Sequence, residues 1–338
     1  MFNMFEPIPI STAPVNILSM SKEPALGASL AARVARVLDT ANVPYVLWGL
    51  AAAALVAEDG SYPELEFVIS DASIQQAIKA LKGDGICPCD DPKCPELLAD
   101  RADGYASDDD SDDPIFMSCD RYHPIGSAHF HFKTRVQCLD QSCRYYSSHP
   151  RDEHGQYYHD QFLVLHLLRQ SEILFWMDPL KPGSPTPNVI LSNDPALPAK
   201  LVPRQYGGPG VVRSCLSSVP RVVSPSGPWN GLDPVKILDS PSYVESIIWL
   251  LCRDMNPDER GDVPILMRRW MDLSSKVRRR IESVGGRFQP AWQEMVREAG
   301  KVHGPVVRGL RNELIRNGEL PSPGKPTPES AKGWWPWK

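Results

Sequence analysis

Three cysteines crowd one short stretch of this chain, CPCDDPKC, at positions 87, 89 and 94. Further on, HFHF carries His129 and His131. Thiolates and neutral imidazoles are the ligands that favour zinc, and four of them in a tetrahedron make a closed, structural site. Cys89 and Cys94 are separated by four residues, a spacing that suits a zinc knuckle, and Asp90, Asp91 and Pro92 suit the turn between them. On a strand, alternate residues share a face, so His129 and His131 would point at one atom. The expected metal ligands are therefore Cys89, Cys94, His129 and His131, with Cys87 able to replace Cys89. Two blander arrangements compete: interior cysteines beside hydrogen-bonded histidines, and a disulfide between Cys89 and Cys94. Cys138 and Cys143 repeat the same spacing and offer a rival pairing with Cys87 or Cys89.

A second chemistry is written into YVLWGLAAAALVAEDGSYPELEFVIS, residues 45–70. A strand ending at Gly49 leads at once into a helix, whose free amides can receive a phosphate. The next strand carries Glu64 and Glu66 two residues apart, so both carboxylates face the same way. Paired carboxylates beside a phosphate-binding helix end are what a two-magnesium phosphoryl-transfer site requires. The plain alternative is a solvated strand edge, with a glycine that only ends a strand.

This stretch resembles the nucleotidyltransferase-fold proteins, and within them an uncharacterised group from filamentous fungi. The resemblance covers residues 27–177. It implies that Gly49 and Leu50 take the places of the small-residue turn that cradles a nucleoside triphosphate. It also implies that Glu64 and Glu66 are the metal-holding catalytic pair, with magnesium as their ion. The sequence departs from that pattern in three ways. Leu50 replaces a glycine or serine, the acids are glutamates rather than aspartates, and the third carboxylate is missing. HFHFK stands near where the third acid would come, and Glu172 is a distant candidate. Such a chain reads as a pseudoenzyme, or a ligand- or protein-binding module. The alternative is a metal-dependent nucleotidyltransferase acting on a small molecule or other acceptor.

Several elements must position these residues. A helix is expected over Ala25–Ala41, where Leu26, Leu30, Val34 and Leu38 recur at helical spacing. Strands follow at Tyr45–Trp48 and in ELEFVIS, and then a helix over Ser73–Lys82 with Asp71 as its cap. AHFHFKTRVQCL, Tyr157–Leu167 and Glu172–Met177 read as further strands. The fold class is thus α+β, with a mixed sheet and flanking helices at 23–180, which the resemblance makes nucleotidyltransferase-like, plus a helical C-terminal lobe at 234–318. In that lobe SPSYVESIIWLLCRDM begins at Ser240 or Ser242, with Pro241 in its first turn. Helices at about 263–284, 289–299 and 302–317 follow. Segments 1–22, 181–233 and 319–338 are Pro- and Gly-rich or extended, and the last carries three tryptophans that suit docking on the body or on a partner.

Composition limits the rest. The chain has 338 residues, 42% of them hydrophobic, enough for a large core. Its 34 prolines and 23 glycines predict long loops. A net charge of −5 argues against a general nucleic-acid or membrane-surface partner. The basic run MRRWMDLSSKVRRR, with Arg268, Lys276 and Arg279 on one side, is the best local polyanion patch. The aspartates of DGYASDDDSDDP, 103–114, make a solvated loop rather than a calcium loop. No apolar run is long enough to span a membrane and no export signal leads the chain, so an intracellular location, cytoplasmic or nuclear, with reduced thiols is expected. Cys252, on an apolar helix face, is expected to be buried and inert.

Overall fold

The structure is a computed structural model. It describes residues 15–17, 26–57, 64–90, 94, 127–137, 151, 158–183, 187–197, 200–201, 223–224, 229, 231–255, 270–271, 273–275, 277–278, 281, 283–297 and 304–320. The Asp-rich loop, Cys138, Cys143, Cys215, His149, His154, the arginines and lysine of the polyanion face and the tryptophans of the tail lie outside them.

The chain builds a mixed sheet of seven strands flanked by helices, as an α+β protein should. In chain order the elements are β1 (Val15–Ile17), α1 (Leu26–Thr40), β2 (Tyr45–Trp48), α2 (Gly49–Ala57), β3 (Glu64–Ile69), α3 (Ile74–Gly83), β4 (Ala128–Gln137), β5 (Tyr158–Arg169), α4 (Gln170–Ile173), β6 (Val189–Leu191), β7 (Lys200–Leu201), β8 (Val223–Ser224), β9 (Lys236–Leu238), α5 (Ser240–Asp254), α6 (Gln289–Arg297) and α7 (Pro305–Arg316). The large sheet runs β1-β4-β5-β3-β2-β9-β6, and β7 and β8 form a separate pair. β5 lies parallel to β3 and antiparallel to β4, while β2 is antiparallel to β3 and parallel to β9.

Local sequence explains most of the elements. On α1 the buried side chains include Leu30, Val34 and Leu38, the apolar stripe read from the spacing. α2 is apolar on every side, and Ala51–Val56 are all buried, so it behaves as an interior helix rather than an amphipathic one. Its alanines let it lie close to the sheet.

Register fixes two contrasting faces. Tyr45, Leu47, Leu65, Phe67, Phe130, Phe132, Leu163 and Leu165 share one face, all buried. α1 lies on this side, where Tyr45 donates its hydroxyl to Asp39 at 2.9 Å. The opposite face carries Trp48, Glu64, Glu66, His166, His129 and His131. α5 covers the Trp48 end: the indole N–H donates to Ser246 Oγ at 3.1 Å, and the Trp48 ring meets Tyr243 and Trp270.

The structure corrects several expectations. Glu172–Met177 is not a strand. Gln170 starts the short α4 there, and its side-chain amide holds the following turn by donating to Asp178 O at 2.8 Å and accepting from Leu180 N at 2.9 Å. Asp71 does not cap α3. It accepts from Ser171 N and Oγ instead, tying β3's end to α4. Neither Ser240 nor Ser242 caps α5. Asp239 does, accepting from Ser242 N at 2.8 Å. The stretch 181–233, expected as a connection, supplies β6, and buried side chains on both sides of it belong to one hydrophobic cluster. Among the described residues, no helix is long and apolar enough to cross a membrane.

Candidate metal centre

The loop that carries the cysteines is launched by the end of α3. Gly85 N donates to Lys82 O at 3.0 Å and Ile86 N to Leu81 O at 2.9 Å, with Gly85 at φ +80°. This is the Schellman arrangement, which needs a left-handed residue after the cap. Arg33 pins the same corner from α1, pairing with the Asp84 carboxylate at 2.7 Å. Ile86 is buried, and the chain then runs along β4, where Cys89 N donates to His129 O at 2.8 Å. One main-chain bond thus sets the loop against the strand that carries the histidines.

Strand alternation does the rest. His129 and His131 project from the same face of β4, their rings 5.1 Å apart and nearly perpendicular. Cys94 Sγ lies 3.3 Å from His129 Nε2 and 3.2 Å from His131 Nε2. The ligand atoms of Cys89, Cys94, His129 and His131 all fall within 4.8 Å of one another. A tetrahedral ion with bonds of about 2.0–2.3 Å spaces its ligand atoms about 3.3–3.8 Å apart. The four side chains therefore form a cluster that could hold a metal ion. Cys94 and His129 are buried, Cys89 and His131 half-buried. Cys87 is exposed and outside the group. Cys89 and Cys94 carry no disulfide.

The carboxylate pair lies on the same sheet face. Glu64 and Glu66 are each 1% exposed, so ELEFVI is an interior strand and not a solvated edge. Gly49 opens α2 at φ +65°, and a Cβ placed on it would come within 1.5 Å of Glu66 Oε2. Glu66 thus lies against the start of the helix, in space that only glycine leaves open. Tyr243 donates its hydroxyl to Gly49 O at 2.8 Å, so α5 braces the same turn. Leu50 is partly buried against the core. Glu172 lies beyond the C-terminal end of β3, near Asp71, Arg169 and Arg253, where burial pushes its carboxyl pKa up.

One residue of this region is hard to single out from its sequence. His166 stands beside Glu66 on β5 and opposite His129 on β4. Its ring stacks on His129 with centroids 6.3 Å apart. Trp48, Glu66, His166 and His129 form a row across four adjacent strands, and Glu66 is two strand spacings, about 10 Å, from His129. The only sequence signal for His166 is a single polar residue inside FLVLHLLR.

Comparisons with family models, with curated proteins and with solved structures find no match to this chain.

Proposed function

We propose that this chain is a nucleotidyltransferase-like protein that has lost metal-dependent transfer and works as a ligand- or protein-binding module, with a structural zinc ion in the Cys89–Cys94–His129–His131 centre. The observation that carries the loss of transfer is the contact between Glu66 and Gly49. A helix N-terminus attracts anions through its free amides. Here the carboxyl group of Glu66 lies against the first residue, and a triphosphate approaching that turn meets its bulk and its acceptor oxygens. Leu50 supplies no hydroxyl, and both glutamates are buried. For the metal, two thiols and two imidazoles favour zinc over magnesium or calcium, and four protein ligands leave no position for substrate.

Titration with a labelled nucleoside triphosphate and magnesium, compared with a Glu64→Gln/Glu66→Gln variant, tests the first part. No magnesium-dependent binding is expected. Binding that the double variant abolishes would restore the other reading, a metal-dependent nucleotidyltransferase. The placement of a paired carboxylate beside a helix start favours that second reading. Metal analysis of protein purified without added metal tests the second part, with about one zinc per chain expected. Folded protein without zinc would overturn it.

A further inference from the structure

We propose that Cys89 and Cys94 form a redox-sensitive latch, in which hydrogen peroxide converts the two thiolates to a disulfide and expels the metal. This rests on the zinc reading above. Two observations carry it. The two sulfurs already lie within 4.8 Å, so a bond of about 2.05 Å needs a closing movement of about 3 Å or less. Cys89 is half-buried, within reach of a small oxidant, whereas Cys94 is buried beneath it against both imidazoles.

The chemistry balances. Metal coordination keeps cysteine as thiolate at neutral pH, and the thiolate is the nucleophile. Cys89 sulfur attacks the peroxide, an S–O bond forms as O–O breaks, and the departing hydroxide takes a proton to become water. Cys94 thiolate then attacks the sulfenic sulfur of Cys89. The S–S bond forms, S–O breaks, and the second hydroxide leaves as water. The sulfur pair gives up two electrons and the O–O bond accepts two. Zinc has then lost two of its four donors and departs. A dithiol reductant returns both thiols and becomes a disulfide itself.

Two other cysteines act as internal standards. Cys87 is exposed and two residues from Cys89, yet outside the ligand group. Cys252 is buried on α5, and burial pushes its thiol pKa up to about 12, which keeps it protonated and unreactive. The test titrates the zinc-loaded full chain with hydrogen peroxide, beside a Cys87→Ser variant. A chromogenic chelator reads released zinc, and peptide mapping by mass spectrometry reads the disulfides. One zinc released for each Cys89–Cys94 disulfide formed is expected, in both proteins, before Cys252 reacts. Dithiothreitol with added zinc should restore binding. Oxidation of Cys87 while zinc stays bound would overturn the latch, as would zinc release without a Cys89–Cys94 bond. Protein that carries no zinc before peroxide is added removes the metal reading, and the latch with it.

Discussion

The two faces of the central sheet are built from the same strands and covered to a similar degree, yet they carry opposite chemistry. On one side Phe67, Leu65, Leu165, Phe130 and Phe132 make an unbroken apolar surface, on the face that also carries α1. On the other, Glu64, Glu66, His166 and His129 are buried just as deeply. Burying apolar side chains is favourable in proportion to the area removed from water, whereas burying ionisable ones costs free energy unless partners compensate. A polar row that is interior rather than solvated is therefore the part of this sheet least explained by stability alone. The Cys89–Cys94–His129–His131 cluster sits at one end of that row and the start of α2 at the other.

Breaking the polar face at the metal should have the largest effect. Cys94→Ala or His129→Ala should abolish zinc binding and cost several kcal/mol, a share of the about 10–16 kcal/mol that a structural zinc supplies in small zinc-binding peptides. Metal analysis and denaturant unfolding would read both, and unchanged stability would mean the centre is not structural. On the apolar face Phe67→Ala should cost about 3–5 kcal/mol through lost burial and a cavity, with zinc content unchanged. Loss of zinc in that variant would show that the two faces are not independent.

The start of α2 gives a finer test. Gly49→Ala should cost about 1–2 kcal/mol for the left-handed backbone, and more for the collision with Glu66. In a double-mutant cycle with Glu66→Ala, the collision should vanish and leave the backbone share, a coupling on the order of 0.5–3 kcal/mol. Strict additivity would move Glu66 away from the turn. The smallest effect belongs to Cys252. Its thiol is raised by burial from an ordinary value of 9.0 to about 12, so the folded chain holds that proton more tightly. The associated stability is fully present below about pH 9 and is lost as pH rises from there towards 12. Cys252→Ala should flatten that alkaline decline relative to the parent, measured by unfolding at pH 8 and 10.

How far the sequence could be read follows the range of the forces involved. The stripe of α1, the parity of HFHF and the spacing of Cys89 and Cys94 are local, and the structure brings those four ligands together. Cys252 is buried, as its apolar helix face suggested. Glu64 and Glu66 share a face as expected, but the same alternation could not tell a solvated side from a covered one. His166 escaped because nothing in FLVLHLLR says that β5 will lie between β3 and β4. The error at Glu172–Met177 has the same origin. Those residues suit a strand, and the side-chain bonds of Gln170 to Asp178 and Leu180 turn the chain away. The cap of α5 falls on Asp239, ahead of both candidate serines, because its carboxylate reaches the Ser242 amide.

The position of β9 has a consequence for biosynthesis. It pairs with β2, and Lys236 on β9 reaches Asp39 across 197 positions of sequence. While the chain is still emerging from the ribosome, YVLW lacks its companion on that side until much of the polypeptide has been made. Closing so long a loop carries an entropic cost, and an uncovered apolar edge invites pairing with neighbouring nascent chains. Completion of the sheet is therefore a late event, and a chaperone that shields β2 until β9 emerges would raise the yield of native protein.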